Sequence, residues 1–593
     1  MYYDLTVEIP VIKGKITKRT RDSGVFVEYK EQEVYNNEKG YSEVKRVTIG
    51  KVFDEEKSLM IPNEVYFDLL HPEDKPEILI SEQRNVALGF GMYAVLDTIY
   101  KEFKLPELLT KCIYPEHKPE LILDLVAYLI ITENNAAFYY PDYAEGHVIF
   151  TKDMHIYYES TVGRVLKSIT NNERQAFLKE WNKNRNKTYI YISYDSTNKN
   201  IQAGDIELCE WGPSKINTGE KIINQAIAYD ITNRIPLFYE VYSGSVNDTS
   251  EFKETVTRAH EFGYRNICFI LDRGYFSISN IKEMDEKGFD FIMFVKGLKS
   301  TIAELVLKHK DEFVNKRKSF VEDYDMYGTT VIDALFTGDK KDRYFHLFYD
   351  HQRAYYEKRD FDKGLNRTKE VIEEVISKKG DVQFSKEVTD FFEILRDEKG
   401  VVIAYKEKED ATQQAEDCFG FFAIVTSKKM TYDEAIHLYK SRDSSEKLFA
   451  ADKTFLGGRS YRVHTKESLE NKSFIAFLAL IVRNRMFTLL QAGKQKRKAN
   501  DNYYSVPKAI KQLEKIMLCE NLNGDYRINK NITATCQRLI SLFGLSVANL
   551  RETASAVADK LKVTKKVKSD EASIEEAETT QEEMYENKMY IDC

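Results

Sequence analysis

Three carboxylates stand where this chain could do chemistry. Asp195 closes the alternating run Tyr189-Ile-Tyr-Ile-Ser-Tyr194, and Asp272 closes the apolar run Ile267-Cys-Phe-Ile-Leu271. Each reads as the residue that ends a strand. Glu446 lies in a helical stretch with the spacing Tyr439-x2-Arg442-x3-Glu446-x6-Lys453. At roughly 100° per residue these four fall near azimuths of about 0, −60, −20 and −40 degrees, one polar stripe of a single helix. Carboxylates from two strand ends and a helix form an all-oxygen donor set that suits a pair of Mg2+ ions, with Mn2+ able to substitute. A tyrosine and two cations around the glutamate are what a phosphate backbone wants. The chemistry such a set supports is phosphoryl transfer on DNA.

Each residue alone has a plainer reading. An aspartate at a strand end commonly forms a turn or caps a helix. Arg442 and Glu446 are spaced as an ordinary i,i+4 pair on a solvated helix face. The joint occurrence of all of them, in one order of elements, favours the metal site. Ser196 and Thr197 do not read as nucleophiles, because no histidine lies nearby in sequence to activate them. His464 reads as a solvated or phosphate-contacting ring, and Trp181 and Trp211 as core residues.

The elements that must position these groups are legible. Thr188–Tyr194 is a strand, and Ile222–Tyr229 with Ile235–Tyr242 forms a hairpin. Asp248–Phe262 reads as a helix opened by an N-cap aspartate. Asn266–Leu271 is an apolar strand, Ser277–Lys287 a helix and Asp290–Val295 a strand. Three antiparallel strands followed by crossovers give an α/β, ribonuclease-H-like core over residues 188–297, a mixed sheet flanked by helices. A charge-rich, strand-rich insertion follows over 298–418, and the core resumes over 419–495. Before it lie a β-rich module (1–80), whose Lys13, Lys15, Lys18, Arg19 and Arg21 could meet DNA, and a helical module (81–187). After it come C-terminal helices (496–565) and an acidic tail (566–593) that reads as disordered.

At 593 residues the chain exceeds a single core. Its net charge of −8 argues against DNA binding until the charge is located. From Val567 to Cys593 nine acids face two lysines, a net of −7, which leaves the rest near −1. Local basic patches on such a body suffice for DNA. The seven cysteines show no paired spacing, which fits a reducing cytosol and no zinc site. The longest apolar run, Phe474–Val482, is too short to span a bilayer and reads as a buried helix. No signal peptide is visible, and no membrane partner is expected.

Together these residues resemble the bacterial insertion-sequence transposases of the D-D-E type, in the superfamily marked by a Y-R-E-K signature. Gly212-Pro-Ser-Lys215, Gly244-Ser-Val-Asn-Asp248, Leu271-Asp-Arg-Gly-Tyr275 and Gly420-Phe-Phe-Ala-Ile-Val-Thr426 resemble the family's connecting motifs, as does the Arg459/Arg462/His464 segment. The resemblance covers about residues 85 to 490. It implies catalytic, metal-holding Asp195, Asp272 and Glu446, with Tyr439, Arg442, Lys453, Arg459 and Arg462 on DNA phosphates. It implies recognition of an element's terminal inverted repeats, metal-dependent strand cleavage and strand transfer to target DNA. It also implies a dimer or higher assembly on double-stranded DNA, in a bacterial cytoplasm at the nucleoid.

Overall fold

The computed structural model describes residues 6 to 562, apart from 22–23, 37–40, 56, 75–86, 116, 184, 186–187, 203–205, 213–219, 296–298, 496–503, 521–524 and 530–531. The acidic tail and the Pro213-Ser-Lys215 part of one motif therefore lie outside the described residues. The chain divides into two compact units, residues 1–85 and 86–593.

The first unit is an antiparallel sheet. Its strands run in spatial order Val7–Glu8, Leu59–Pro62, Tyr41–Asp54, Gly24–Asn36 and Ile16–Arg21. Val27, Ile49 and Met60 alternate onto one face and bury against Tyr66 and Phe67 of the helix Glu64–Leu70. Asn63 opens that helix by accepting from the Tyr66 amide, as an N-cap must.

The second unit is built on a large mixed sheet. Its strands are β1 (Ile190–Gln202), β2 (Ile222–Asp230), β3 (Ile235–Ser243), β4 (Ile267–Leu271), β5 (Asp290–Phe294), β6 (Phe320–Val321), β7 (Met326–Asp333), β8 (Arg343–Tyr349), β9 (Phe421–Thr426) and β10 (Ser460–Arg462). The spatial order is β6-β7-β8-β9-β5-β4-β1-β2-β3, with β10 paired to β1. Strands β1, β2 and β3 are antiparallel, and β4 then returns parallel to β1. This is the ribonuclease-H-like arrangement, and the fold is mixed α/β. Helices α1 (Asp248–Glu261) and α2 (Ile278–Lys287) make the crossovers.

Two regions differ from the sequence reading. The insertion is not a separate strand-rich body: β7 and β8 extend the main sheet beyond β9. The rest is dominated by helix, chiefly α3 (His351–Ser377), with a two-stranded hairpin packed beside it. The reason is pairing: β9 would otherwise be an open edge, and β8 covers it with buried Phe345 and Leu347. The C-terminal region is not only helical. Met517–Glu520 and Tyr526–Ile528 form a small sheet with Ala87–Gly89, at the other end of this unit's sequence.

Helices α4 (Tyr432–Lys440), α5 (Asp443–Phe455) and α6 (Lys466–Gln495) follow β9. The window Lys466–Gly493 has the length and hydropathy of a membrane span, yet 78% of its apolar window is buried within the protein. Every residue from Phe474 to Val482 is buried, so α6 is apolar all round because helices and strands surround it. Trp181 packs in the same core, its Nε1 donating to the Pro236 carbonyl, whereas Trp211 is 65% exposed and is not a core residue.

Candidate active site

Strand register places the two aspartates side by side. Leu271 of β4 lies opposite Tyr194 of β1 in parallel pairing. The next residue on each strand is therefore an aspartate, on neighbours about 4.8 Å apart. Asp272 does follow the end of its strand, where its Oδ1 accepts from the Arg273 amide at 2.7 Å. Asp195 does not end a strand. β1 runs on seven residues to Gln202, held along its other edge by β2, with Asp195 opposite Ile227. What ends at Tyr194 is the pairing with β4. That flank of β1 is taken up again only where Ser460 of β10 meets Asn200. Asp195 thus sits at a notch in the sheet, a feature that alternation alone cannot reveal.

The Glu446 segment is two helices, not one. α4 ends at Lys440 and α5 begins at Asp443, so Tyr439 and Glu446 belong to different helices. Hydroxyls at the joint compete for the helical carbonyls: Ser441 Oγ donates to Leu438 O, and Ser445 Oγ donates to Arg442 O at 2.8 Å. Ser441 and Arg442 keep near-helical dihedrals. α5 is fixed to the sheet from below, where Ser445 Oγ meets Ser193 Oγ of β1 at 2.9 Å in a buried contact.

The three carboxylates converge on one guanidinium. Arg442 Nη1 lies 3.7 Å from Asp195 Oδ2 and 3.7 Å from Asp272 Oδ2, and Nη2 lies 2.9 Å from Glu446 Oε1. Side-chain exposure rises from 17% at Asp195 to 43% at Asp272 and 53% at Glu446, so the cluster opens from a floor to a rim. Tyr439 donates from its hydroxyl to Asp272 Oδ1 at 3.4 Å, and its ring packs beside Phe294. Burial opposes the charge on Arg442, but Tyr439, Asp272, Asp195 and Glu446 outweigh it and raise its pKa above the ordinary arginine value. Burial first, then Asp272 and Glu446, raise the Tyr439 hydroxyl against the pull of Arg442, so it stays protonated at neutral pH.

The remaining predicted contacts lie outside this cluster. Lys453 is in the last turn of α5, about two turns past Glu446. Arg459 follows the Gly457-Gly458 turn and Arg462 is on β10; both are exposed and line a separate recess of about 320 Å³ with Glu133, Asn134 and Tyr139. Asn135 holds that turn by donating to the Gly457 and Ser460 carbonyls.

Sequence reading missed two supports. Lys199 of β1 and Asp452 of α5 form a fully buried ion pair at 2.7 Å, and Lys199 Nζ also donates to Tyr461 Oη at 2.8 Å. Asp248 is not the N-cap of α1. Asn247 takes that place, accepting from the Thr249 amide, and Asp248 instead accepts from Ser196 and Tyr242 beside the Asp195 strand. The motif glycines Gly212 and Gly244 have a steric reason: a Cβ on Gly212 would lie 1.9 Å from the Gly244 carbonyl oxygen.

A mixed sheet of this order, with acidic residues on adjacent central strands and a third on a following helix, defines a polynucleotidyl-transferase core. Residues 194–482 match the family model of the transposase DDE domain. Over these residues the chain carries a transposase DDE domain. None of the curated proteins matches the chain. Among solved structures it is similar to the piggyBac transposase synaptic complex with hairpin DNA, at 9% identity and a TM-score of 0.36, covering 80% of this chain and 87% of that one. It is also similar to the Mos1 transposase paired-end complex with the left transposon end, at 10% identity and a TM-score of 0.13, covering 29% and 57%.

Transposases of this class depend on divalent cations. Among the described residues no three His, Cys, Asp or Glu side chains close on one point tightly enough to hold an ion. The guanidinium of Arg442 instead stands as the cation among the three carboxylates. The donors are all hard oxygens facing one cationic centre, the donor type that a divalent ion takes.

Proposed function

We propose that this protein binds the terminal inverted repeats of an insertion sequence, cuts the strands there and joins them to target DNA. The observation that carries the reading is the convergence of Asp195, Asp272 and Glu446 on one cationic centre at the sheet notch. These three are the catalytic, metal-holding residues, for two Mg2+ ions or Mn2+ in their place. Bound there, such ions supply activation of the attacking oxygen and neutralise charge on the leaving one.

The chain's own groups bind and orient. Asp195 is held by the Ser196 amide and Asp272 by the Arg273 amide and the Tyr439 hydroxyl, so both carboxylates are aimed before DNA arrives. Arg442, relieved of balancing three carboxylates, is placed to hold a phosphate of the cut strand. Tyr439 positions both Asp272 and the arginine, whose guanidinium carbon lies 5.6 Å from its ring centroid. Lys453, Arg459 and Arg462 extend the basic path along the backbone. Two ends must be held during joining, so the working form is a dimer or higher assembly on DNA, in a bacterial cytoplasm at the nucleoid.

The test is cleavage of a duplex carrying the element's end, in magnesium, by wild type and Glu446→Ala. Wild type should cut. The variant should bind with similar affinity and cut at least about a hundredfold more slowly. Equal cutting by both proteins, or binding without cutting by both, would overturn the assignment.

A further inference from the structure

Arg483 of α6 is 4% exposed, and its Nε and Nη2 meet no hydrogen-bond acceptor. Its guanidinium carbon lies 4.4 Å from the Phe455 ring centroid, a contact that leaves those N–H groups unmet. A buried cation without an acceptor is costly, and native structures keep such groups paired. Arg483 lines a cavity of about 270 Å³ between α5, α6 and the turn from β2 to β3. Arg234, Lys447, Ser444 and Asn484 line it too.

Few of these groups answer one another. Lys447 pairs with Asp443 at 2.5 Å, but both are exposed, where such a pair is weak. Asn484 donates to the Arg234 carbonyl at 2.7 Å and faces the Tyr229 hydroxyl at 3.5 Å. Burial pushes Arg483 down to about 10, with Glu133 pulling partly back, so the guanidinium stays charged at neutral pH. Three cations around one small cavity, one of them buried, ask for an anion; water would supply acceptors but no charge. Leu448 and Phe487 give the cavity an apolar side as well. The face of α5 used here, at Ser444, Lys447 and Ala451, is turned roughly 100–160° from Glu446.

We propose that this cavity is a phosphate-binding site, filled by a phosphate group of a DNA strand passing behind the Glu446 helix. The chemistry is shared by free phosphate, and the test separates the two sources. The phosphate site stands apart from the carboxylate reading; only the DNA source rests on it.

Thermal unfolding of the full chain is followed in inorganic phosphate and in chloride at matched ionic strength. The wild type should gain on the order of 1–2 °C in phosphate alone. Arg483→Gln should lose that gain. Because that variant removes a buried group, Lys447→Gln and Arg234→Gln, at exposed positions, serve beside it and should each weaken phosphate binding about threefold. A second arm follows duplex binding against salt: if DNA supplies the phosphate, the log–log slope falls by about one in Arg483→Gln and in Lys447→Gln. A phosphate gain with unchanged slopes overturns the DNA source and leaves free phosphate as the ligand. No gain in phosphate over chloride, with unchanged slopes, overturns the site. Neither readout involves cutting, so this outcome is distinguishable from that of the Glu446 test.

Discussion

At Arg442 one guanidinium balances three carboxylates, and that single contact explains how an acidic cluster persists without repelling itself apart. A second residue carries a pH-dependent load. His346 of β8 is fully buried, its Nδ1 2.9 Å from Thr330 Oγ1 of β7 and its Nε2 3.0 Å from Thr426 Oγ1 of β9. Burial pushes it down to about 4, so it is neutral in the folded sheet. The unfolded chain, with an ordinary histidine near 6.5, binds the proton first. Its contribution is therefore present above about pH 6.5 and lost as pH falls toward 4, on the order of 3 kcal/mol in all. Unfolding midpoints measured from pH 7.5 to 4.5 should fall steeply in wild type. In His346→Gln the fall should be shallower, and an identical slope would remove His346 as its source.

The elements meet at buried polar ties rather than at apolar contacts alone. Helix α5, which carries Glu446, is pinned to β1 at both ends: Ser445 to Ser193 near its start, and Asp452 to Lys199 near its finish. Lys199 and Asp452 are both 0% exposed, so breaking the pair strands a charge in the core. Lys199→Met should cost about 3–5 kcal/mol in denaturant unfolding, and Lys199→Met with Asp452→Leu should recover much of the loss. A single variant within 1 kcal/mol of wild type would show the pair to be solvated. The break between α4 and α5 belongs to this scale too. It lets Tyr439 approach Asp272 from one helix while Glu446 stands on the next.

Across the whole molecule charge is unevenly placed. The last 27 residues carry −7 of the total −8, leaving a nearly neutral body. Acids that present the same sign as phosphate are expected to compete with DNA for basic surface. Deleting Val567–Cys593 should raise affinity for non-specific duplex severalfold at low salt, with the difference shrinking as salt rises. Equal affinity at low salt would refute the competition.

Sequence by itself marked most of the core strands and singled out the three acids. Strand patterns marked β2 and β3, apolar runs marked β4 and β5, and spacing marked Glu446 among its cations. These signals are local: a strand's period and a helix's period are written into neighbouring residues. Only the tertiary structure decided what lies beside what. β1 continues past Asp195 because β2 holds it, and the notch exists because β4 stops where β1 does not. The α4–α5 break comes from hydroxyls that could equally have faced water. Asp248 leaves its capping place for Ser196 and Tyr242, and Lys199 finds Asp452 across more than 250 residues. The insertion joins the main sheet because an open strand edge was there to be covered. Pairings between distant segments depend on burial and on unmet hydrogen bonds, and neither quantity exists until the chain has closed on itself.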